Sequence, residues 1–286
     1  MQEKEGKEHW DTVIHAKKHK LSFNFSEIWR YRDLILQFAK RDIATVYNQT
    51  ILGPLWFLIQ PILTTLLFMV VFGGIANIKT DPVPSILFYL SGLTIWNYFT
   101  NSFTSTANTF VVNAAIFGKV YFPRLVTPLS KVISGLFIFS VQMLLFLAIF
   151  IYFMIFKGLT FHFTPYFLLI PYLILMMGAM GLGGGIIISS LTTKYRDLSY
   201  LVTFGVQLLM YVTPVIYPMS LLTGKKRLLI LANPMSAVVE DFRYAFFPVG
   251  AFNWTHLIYS TVFTIIALLL GILLFNKIER NFMDTV

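Results

Sequence analysis

Apolar residues occur along this chain in six long runs, separated by short polar or proline-containing stretches. A helix needs about 20 mostly apolar residues to cross the hydrocarbon core of a bilayer. We therefore predict an all-α integral membrane protein with about six transmembrane helices. The predicted spans cover residues 55–76, 85–110, 132–156, 166–191, 198–217 and 256–275.

The segment 27–50, ahead of the first span, has a different pattern. With about 100° of rotation per residue, its residues divide into two halves of a helix. One half carries Leu34, Ile35, Phe38, Ala39 and Val46, and the other carries Asp33, Gln37, Lys40, Arg41 and Asn48. We predict an amphipathic interface helix on the membrane surface, with an ordinary soluble helix as the alternative. A polar, Lys-rich extension, 1–26, precedes it.

Residues 218–255 are too broken by proline and charge to form a simple span. Tyr217-Pro218 and Asn233-Pro234 interrupt the segment, which also contains Arg243. Non-helical backbone at membrane depth must be covered by protein or line a cavity. We predict one or two short re-entrant helices, which either close the exit of a transport path or merely cap the surface.

Composition supports lipid as the surrounding medium. Of the 286 residues, 57% are hydrophobic and 12% are charged, whereas a soluble domain has about 25% charged residues. The chain has no cysteine, which excludes disulfides and thiolate metal sites. His15 and His19 lie one helical turn apart in a Lys-rich tail, so we predict no metal site there.

The net charge of +9 raises the possibility of nucleic-acid binding, but its distribution indicates membrane orientation instead. Sixteen Lys and Arg residues flank the spans on the side of the termini, and six lie on the opposite side. Cytoplasmic loops carry the excess of Lys and Arg. Both termini are therefore predicted to be cytoplasmic, which agrees with an even number of spans.

No Asp, Glu, Lys or Arg falls inside a predicted span. Carriers driven by protons or sodium usually need an ionisable or broken-helix site at membrane depth, so this absence disfavours them. The glycine-rich run 181–185 lacks the Lys-Ser/Thr of a phosphate-binding loop, and close helix packing is its preferred interpretation. We predict a transport subunit without enzymatic activity, whose energy comes from a separate subunit.

Uncharged polar residues recur at helical spacing in three of the spans. The second span carries Asn97, Asn101, Ser105 and Asn108, beside the aromatic residues Tyr98, Phe99, Phe103 and Phe110. The first span carries Trp56, Gln60 and Thr64, and the fifth carries Thr203, Gln207 and Tyr211. Amides and hydroxyls beside aromatic faces suit sugars, so we predict a sugar path here. Hydrogen bonding between helices explains the same residues equally well.

Several short motifs occur in a specific order and spacing. They are Lys40-Arg41-Asp42 through Tyr47, Leu52-Gly53-Pro54-Leu55-Trp56, Gln60-Pro61, Lys119-Val120-Tyr121-Phe122-Pro123-Arg124, Tyr195-Arg196-Asp197, Thr213-Pro214-Val215-Ile216-Tyr217 and Asn233-Pro234. In these motifs the chain, from about residue 27 onward, resembles the membrane subunit of ABC polysaccharide exporters. That group includes O-antigen and teichoic-acid permeases.

The resemblance implies a homodimer in the bacterial inner membrane with two cytoplasmic ATPase subunits, which would bind ATP and Mg. The substrate would be a lipid-linked polysaccharide, and no cofactor or nucleic acid is expected in this chain. The loop 111–131 would carry a coupling helix, and 218–255 would form the outer gate. The implied coupling residues are Arg41, Lys119, Phe122, Pro123, Arg124, Tyr195, Arg196 and Asp197. The implied gate residues are Tyr217, Pro218, Asn233 and Pro234.

Two other functions compete with export of polysaccharide. One is a secondary carrier, which the empty inventory of ionisable residues in the spans disfavours. The other is a membrane assembly protein without a transport role. A neighbouring reading frame with a phosphate-binding loop would favour the exporter over both.

Overall fold

The computed structural model describes residues 25–48, 50–80, 82–117, 119–120, 122–160, 164–192, 197–249 and 252–281. The predicted extension 1–26 lies almost entirely outside this part of the chain. Eleven α-helices occur within it. The helices are α1 (Phe25–Arg30), α2 (Arg32–Tyr47), α3 (Trp56–Phe68), α4 (Ser85–Ala107), α5 (Thr109–Phe117), α6 (Val126–Phe156), α7 (Ile170–Thr192), α8 (Leu198–Tyr211), α9 (Gly224–Leu231), α10 (Pro234–Phe246) and α11 (Trp254–Asn281).

The six predicted spans correspond to helices α3, α4, α6, α7, α8 and α11. Among the described residues, four helical stretches are long and apolar enough to cross a membrane: Gly53–Ile75, Val126–Phe156, Pro165–Thr192 and Trp254–Asn276. Helix α4 has 23 residues but is more polar, and α8 is apolar but has only 14. The prediction of an all-α membrane fold is confirmed.

Two predicted boundaries were wrong. The span predicted at 198–217 ends as α8 at Tyr211, because Pro214 and Pro218 cannot continue a helix. The loop predicted at 111–131 is helical at both ends, so that only 118–125 connect α5 to α6. Pro128 suggested a loop, but it lies in the first turn of α6, where the missing N–H has no helical partner to lose.

Helix α4 is the centre of the fold and packs against α3, α6, α7 and α10. Its close contact with α7 depends on glycine. A Cβ at Gly181 would lie 2.7 Å from the Cβ of Ser102, and one at Gly185 would lie 2.5 Å from the Cβ of Thr106. On another face, a Cβ at Gly183 would lie 2.8 Å from the backbone nitrogen of Leu268 in α11. The predicted packing role of the 181–185 run is confirmed.

Helix α2 lies along α6, and protein covers part of its apolar face. Ile35 and Ala39 are buried, and Ile35 belongs to a cluster that joins α2 to the α5–α6 region, α7 and α11. Its other buried members are Phe110, Phe117, Phe122, Val126, Ile186 and Phe275. Trp29 and Leu36 remain exposed, at 64% and 50%. The apolar residues of this segment therefore serve two purposes. Some pack against the rest of the chain, and others face outward.

Candidate functional site

A cavity of about 310 Å³ lies between α3, α4 and α6, beside the end of α2. Its walls are Val46, Trp56, Phe57, Gln60, Asn97, Tyr98, Thr100, Asn101, Gly135, Ile138, Phe139 and Gln142. Five residues of the predicted sugar path, Trp56, Gln60, Asn97, Tyr98 and Asn101, are among them. The spacing of four residues brings Trp56 and Gln60 to one face of α3, and Asn97 and Asn101 to one face of α4.

The cavity combines amides with aromatic rings. The Nδ2 of Asn97 donates a hydrogen bond to Oε1 of Gln142 at 3.4 Å. The ring centroids of Tyr98 and Phe139 lie 5.1 Å apart. None of the lining residues is charged, so the cavity favours neutral hydroxyl-rich groups over ions. The Asn97–Gln142 bond also joins α4 to α6, as the packing interpretation of these polar residues requires.

The other predicted path residues lie elsewhere. Ser105 donates to Oδ1 of Asn101 at 3.2 Å, and Asn108 donates to the carbonyl oxygen of Thr104. Phe103 packs against the main core and against Gly184. The structure does not bring Gln207 and Tyr211 to the cavity, because both are exposed on α8.

Gln142 was missed by sequence reasoning. It is a single amide in the otherwise apolar run of α6, and it has no polar neighbour at helical spacing to draw attention to it. Its burial at 6% exposure and its bond to Asn97 identify it in the structure. A lone buried amide in a span needs a partner, and that requirement is the signal that could have found it.

A charged network connects α2 to α5 and α6, and we call it the Asp42 anchor. Oδ1 of Asp42 accepts from Nη2 of Arg41 at 2.9 Å, and Oδ2 lies 2.8 Å from Nζ of Lys131. Arg41 also donates to Oδ1 of Asn113 at 3.5 Å, and its guanidinium lies 4.7 Å from the ring of Phe38. The predicted coupling residue Arg41 thus holds α2 against the rest of the chain.

The remaining coupling predictions differ in accessibility. Arg124 is only 8% exposed, with its guanidinium 5.8 Å from the ring centroid of Phe117. Phe122 is buried and contacts Phe38 edge to face at 5.6 Å. Lys119 and Asp197 are exposed, and Pro123 is half-buried. Tyr195 and Arg196 lie outside the described residues.

The predicted outer gate contains a 3-10 turn, Met219–Leu221, and the helices α9 and α10. Pro218 precedes the turn, and the hydroxyl of Tyr217 donates to the carbonyl oxygen of Tyr211 at 3.2 Å. Asn233 is the N-cap of α10, where its Oδ1 accepts from the N–H of Met235, and Pro234 occupies the first turn. The short helices predicted for this segment are confirmed.

Comparison with known proteins agrees with this architecture. The family model described as ABC-2 type transporter matches residues 33–247. An O-antigen export system permease protein RfbA of Klebsiella pneumoniae is 26% identical over 266 residues, covering 93% of this chain and 98% of that protein. The RfbA protein of Myxococcus xanthus is 26% identical, with 77% and 83% covered. The polysialic acid transport protein KpsM of Escherichia coli is 23% identical, with 84% and 91% covered.

Proposed function

The chain belongs to the ABC-2 type transporter family, and from this premise we propose that it is the membrane subunit of an ATP-driven exporter of lipid-linked polysaccharide. The substrate would move from the cytoplasm across the bacterial inner membrane. The relatives named above support this choice, because their names refer to export of O-antigen and transport of polysialic acid.

The observation that carries the proposal is the uncharged cavity between α3, α4 and α6. Amides of Gln60, Asn97 and Asn101 offer both donors and acceptors to sugar hydroxyls. Trp56 and Tyr98 offer aromatic faces to the apolar faces of sugar rings. The sugar path therefore includes the predicted residues Trp56, Gln60, Asn97, Tyr98 and Asn101, together with Gln142.

Energy would come from two cytoplasmic ATPase subunits that bind ATP and Mg. The sequence of this chain contains no phosphate-binding loop of the Walker type. Lys119 and Val120 are exposed in the connection between α5 and α6, so they suit direct docking of an ATPase. Arg124 is mostly buried and supports this connection from within.

A second copy of the chain would complete the path. Of the residues in α8, only Val206 is buried, while Thr203, Gln207 and Tyr211 are exposed. Polar side chains in membrane helices usually face a protein or a cavity, because lipid offers them no hydrogen bonds. A partner copy against α8 would cover these groups. The sixteen-to-six bias of Lys and Arg toward the side of the termini supports cytoplasmic termini.

The test is export by the chain and its ATPase in cells and in proteoliposomes. Asn101→Leu removes an amide from the cavity wall, and export per folded molecule should fall while the apparent Tm changes little. Ser140→Leu is the matched control, because Ser140 is exposed on α6 and bonds only to its own helix. Export in that control should equal wild type. A destabilised Asn101→Leu protein with normal export per folded molecule would refute the path.

The two alternatives predict other results. A secondary carrier would transport with an ion gradient and without the ATPase, and an assembly protein would transport nothing. The purified chain alone should not hydrolyse ATP, whereas the complex should. Hydrolysis by the chain alone would contradict the proposal that a separate subunit hydrolyses ATP.

A further inference from the structure

One arginine of the gate segment is almost completely enclosed by protein. Arg243 on α10 is 6% exposed. Its Nη1 donates to the carbonyl oxygen of Pro214, and its Nη2 donates to those of Val215 at 2.7 Å and Phe88 at 3.2 Å. Its Nε donates to Oγ of Ser91 at 3.4 Å. One side chain thus joins α10, α4 and the turn 213–217 that follows α8.

These partners are mainly neutral backbone oxygens. The nearest carboxylate is Glu240, whose Oε1 lies 3.6 Å from Nη1. The guanidinium carbon also lies 3.7 Å from the ring centroid of Phe88. A planar fork with five N–H donors can satisfy several carbonyls and stack on a ring at once, which an ammonium cannot. The site therefore requires arginine rather than positive charge alone.

The neighbouring backbone leaves space for this guanidinium. A Cβ at Gly92 would overlap Nη2 of Arg243 and would lie 3.1 Å from the carbonyl oxygen of Val215. The absence of a side chain at Gly92 is what lets the fork reach both α4 and the turn. We call Arg243 with its partners Phe88, Ser91, Pro214 and Val215 the Arg243 anchor.

The turn 213–217 is held a second time from the start of α10. The Nδ2 of Asn233 donates to Oγ1 of Thr213 at 2.8 Å, and Oγ1 of Thr213 donates to the carbonyl oxygen of Leu209 in α8. Helix α8 itself has little other packing in this chain, since only Val206 is buried. The position of α8 therefore depends on how its following turn is fixed.

The Arg243 anchor lies nearer to the N-terminal end of α4 than the cavity does. Ser91 and Asn97 are six residues apart on α4, which corresponds to about 9 Å along the helix axis. The anchor is displaced toward the N-terminal end of α4, the end that the proposed topology places outside. It therefore lies on the outward side of the cavity, the side from which an exported polymer would leave.

We propose that Arg243 is a positioning residue for export, which holds the turn after α8 against α4 and so keeps the resting path sealed between transport cycles. The inference rests on the proposed function, because a seal matters only in a chain that conducts a polymer. Arg243 does not line the cavity, so its role is to hold other parts of the chain in place rather than to contact the substrate.

The experiment compares two disruptions of the anchor in the assembled complex with its ATPase. Arg243→Lys keeps the charge but loses the fork, and Gly92→Ala keeps the fork but displaces it. Gly74→Ala, in the stretch Gly53–Ile75, is the matched control, because a Cβ there would meet only the backbone oxygen of Met69, at an ordinary contact distance of 3.9 Å. Proteoliposomes without ATP are loaded with a small fluorescent dye, and leak is measured per folded molecule.

We expect both disruptions to raise the leak severalfold, while Gly74→Ala leaves it at the wild-type value. A lower apparent Tm with unchanged leak per folded molecule would show that Arg243 only stabilises the fold, and would overturn the proposal. If Arg243→Lys does not accumulate, Gly92→Ala decides alone. Failure of the wild-type complex to export would count against the proposed function, whereas wild-type export with unchanged leak in the variants would count against the seal.

Discussion

The Asp42 anchor and the Arg243 anchor both attach a weakly packed element to the central helices, but they do so by different chemistry. On α2, Asp42 pairs with Lys131 of α6, and these side chains are 13% and 15% exposed. It also pairs with Arg41 of its own helix, whose side chain is 40% exposed. Arg243 links α10 and the turn 213–217 to α4 through neutral carbonyl oxygens, and its side chain is 7% exposed. Water and ions can therefore reach the Asp42 anchor through Arg41, whereas the Arg243 anchor is almost fully enclosed.

The difference indicates how firmly each element is held. Exposed ion pairs contribute about 0–1 kcal/mol, because water competes for both charges and salt screens them. The more enclosed Asp42–Lys131 pair is screened less than Arg41–Asp42. Breaking the hydrogen bonds of a buried guanidinium costs more stability, whether the guanidinium or its acceptors are removed. Water cannot reach such buried groups to replace the lost bonds. We infer that α2 can shift at modest cost, whereas the turn after α8 cannot. A movable α2 would suit the coupling role that the resemblance implied for Arg41, and a fixed turn would suit the proposed seal.

The largest expected effect is on stability after loss of Arg243. Arg243→Met should lower the free energy of unfolding by about 3 kcal/mol or more, because the carbonyl oxygens of Pro214, Val215 and Phe88 lose their donor. Asp42→Asn should cost less, about 1–2 kcal/mol, because asparagine keeps an acceptor for Lys131 and Arg41 is partly exposed. Thermal unfolding of both variants in the same detergent measures the contrast. Equal losses would remove the distinction between the two anchors.

The second effect concerns pH. Helix α10 lies outside the membrane-spanning segments, and burial, together with the charge of Glu240, raises the pKa of Asp241 from 3.8 to about 7. Because the folded-state pKa is the higher one, this carboxyl adds stability below about pH 4, and that contribution is lost as pH rises through about 7. The apparent Tm should therefore fall between about pH 5 and pH 8.

Asp241→Asn provides the control for this pH effect. An amide does not titrate in this range, so the variant should show a flatter curve of apparent Tm against pH than wild type. The outer region would then be sensitive to pH while insensitive to salt. A variant with the same slope as wild type would assign the titration to another group.

The smallest expected effect concerns salt. Raising ionic strength from 0.1 M to 1 M shortens the Debye length from about 10 Å to about 3 Å, which weakens the Asp42 anchor. Amide hydrogen exchange in α2 should become faster, while exchange in α10 should not change. In Asp42→Asn the salt effect on α2 should disappear. Faster exchange in both helices would indicate general loosening rather than screening of one network.

Much of the fold could be predicted because its signals are local. The apolar runs identified the helices α3, α4, α6, α7, α8 and α11, and among the described residues four of these lie in stretches long and apolar enough to cross a membrane. The glycines at 181–185 indicated close packing before any neighbour was known. The polar stripe of α4 predicted Asn97 and Asn101 beside a cavity, since one helical face is visible in the sequence. The cavity itself needed α3 and α6 as well, and their relative positions depend on contacts between distant residues.

The Arg243 anchor could not be predicted, for a physical reason. Its acceptors are backbone carbonyls, which every residue possesses, and two of its partners, Phe88 and Ser91, lie more than 150 residues away in the chain. Sequence showed only that Arg243 is too polar for lipid. Arg124 illustrates the opposite limit, because the resemblance implied a coupling role for it but could not show that the structure encloses most of its side chain.

The glycine contacts of α7 have a mechanical consequence. Gly181 and Gly185 allow close contact with α4 on one face of α7, and Gly183 allows close contact with α11 on another face. The position of α7 is therefore fixed by both neighbours. Rotation or a one-residue slip of α7 would bring Leu182 or Ile186 into spaces that do not admit even a methyl group. Helices α4, α7 and α11 therefore form one rigid unit. Conformational change during transport must take place in the helices packed around that unit.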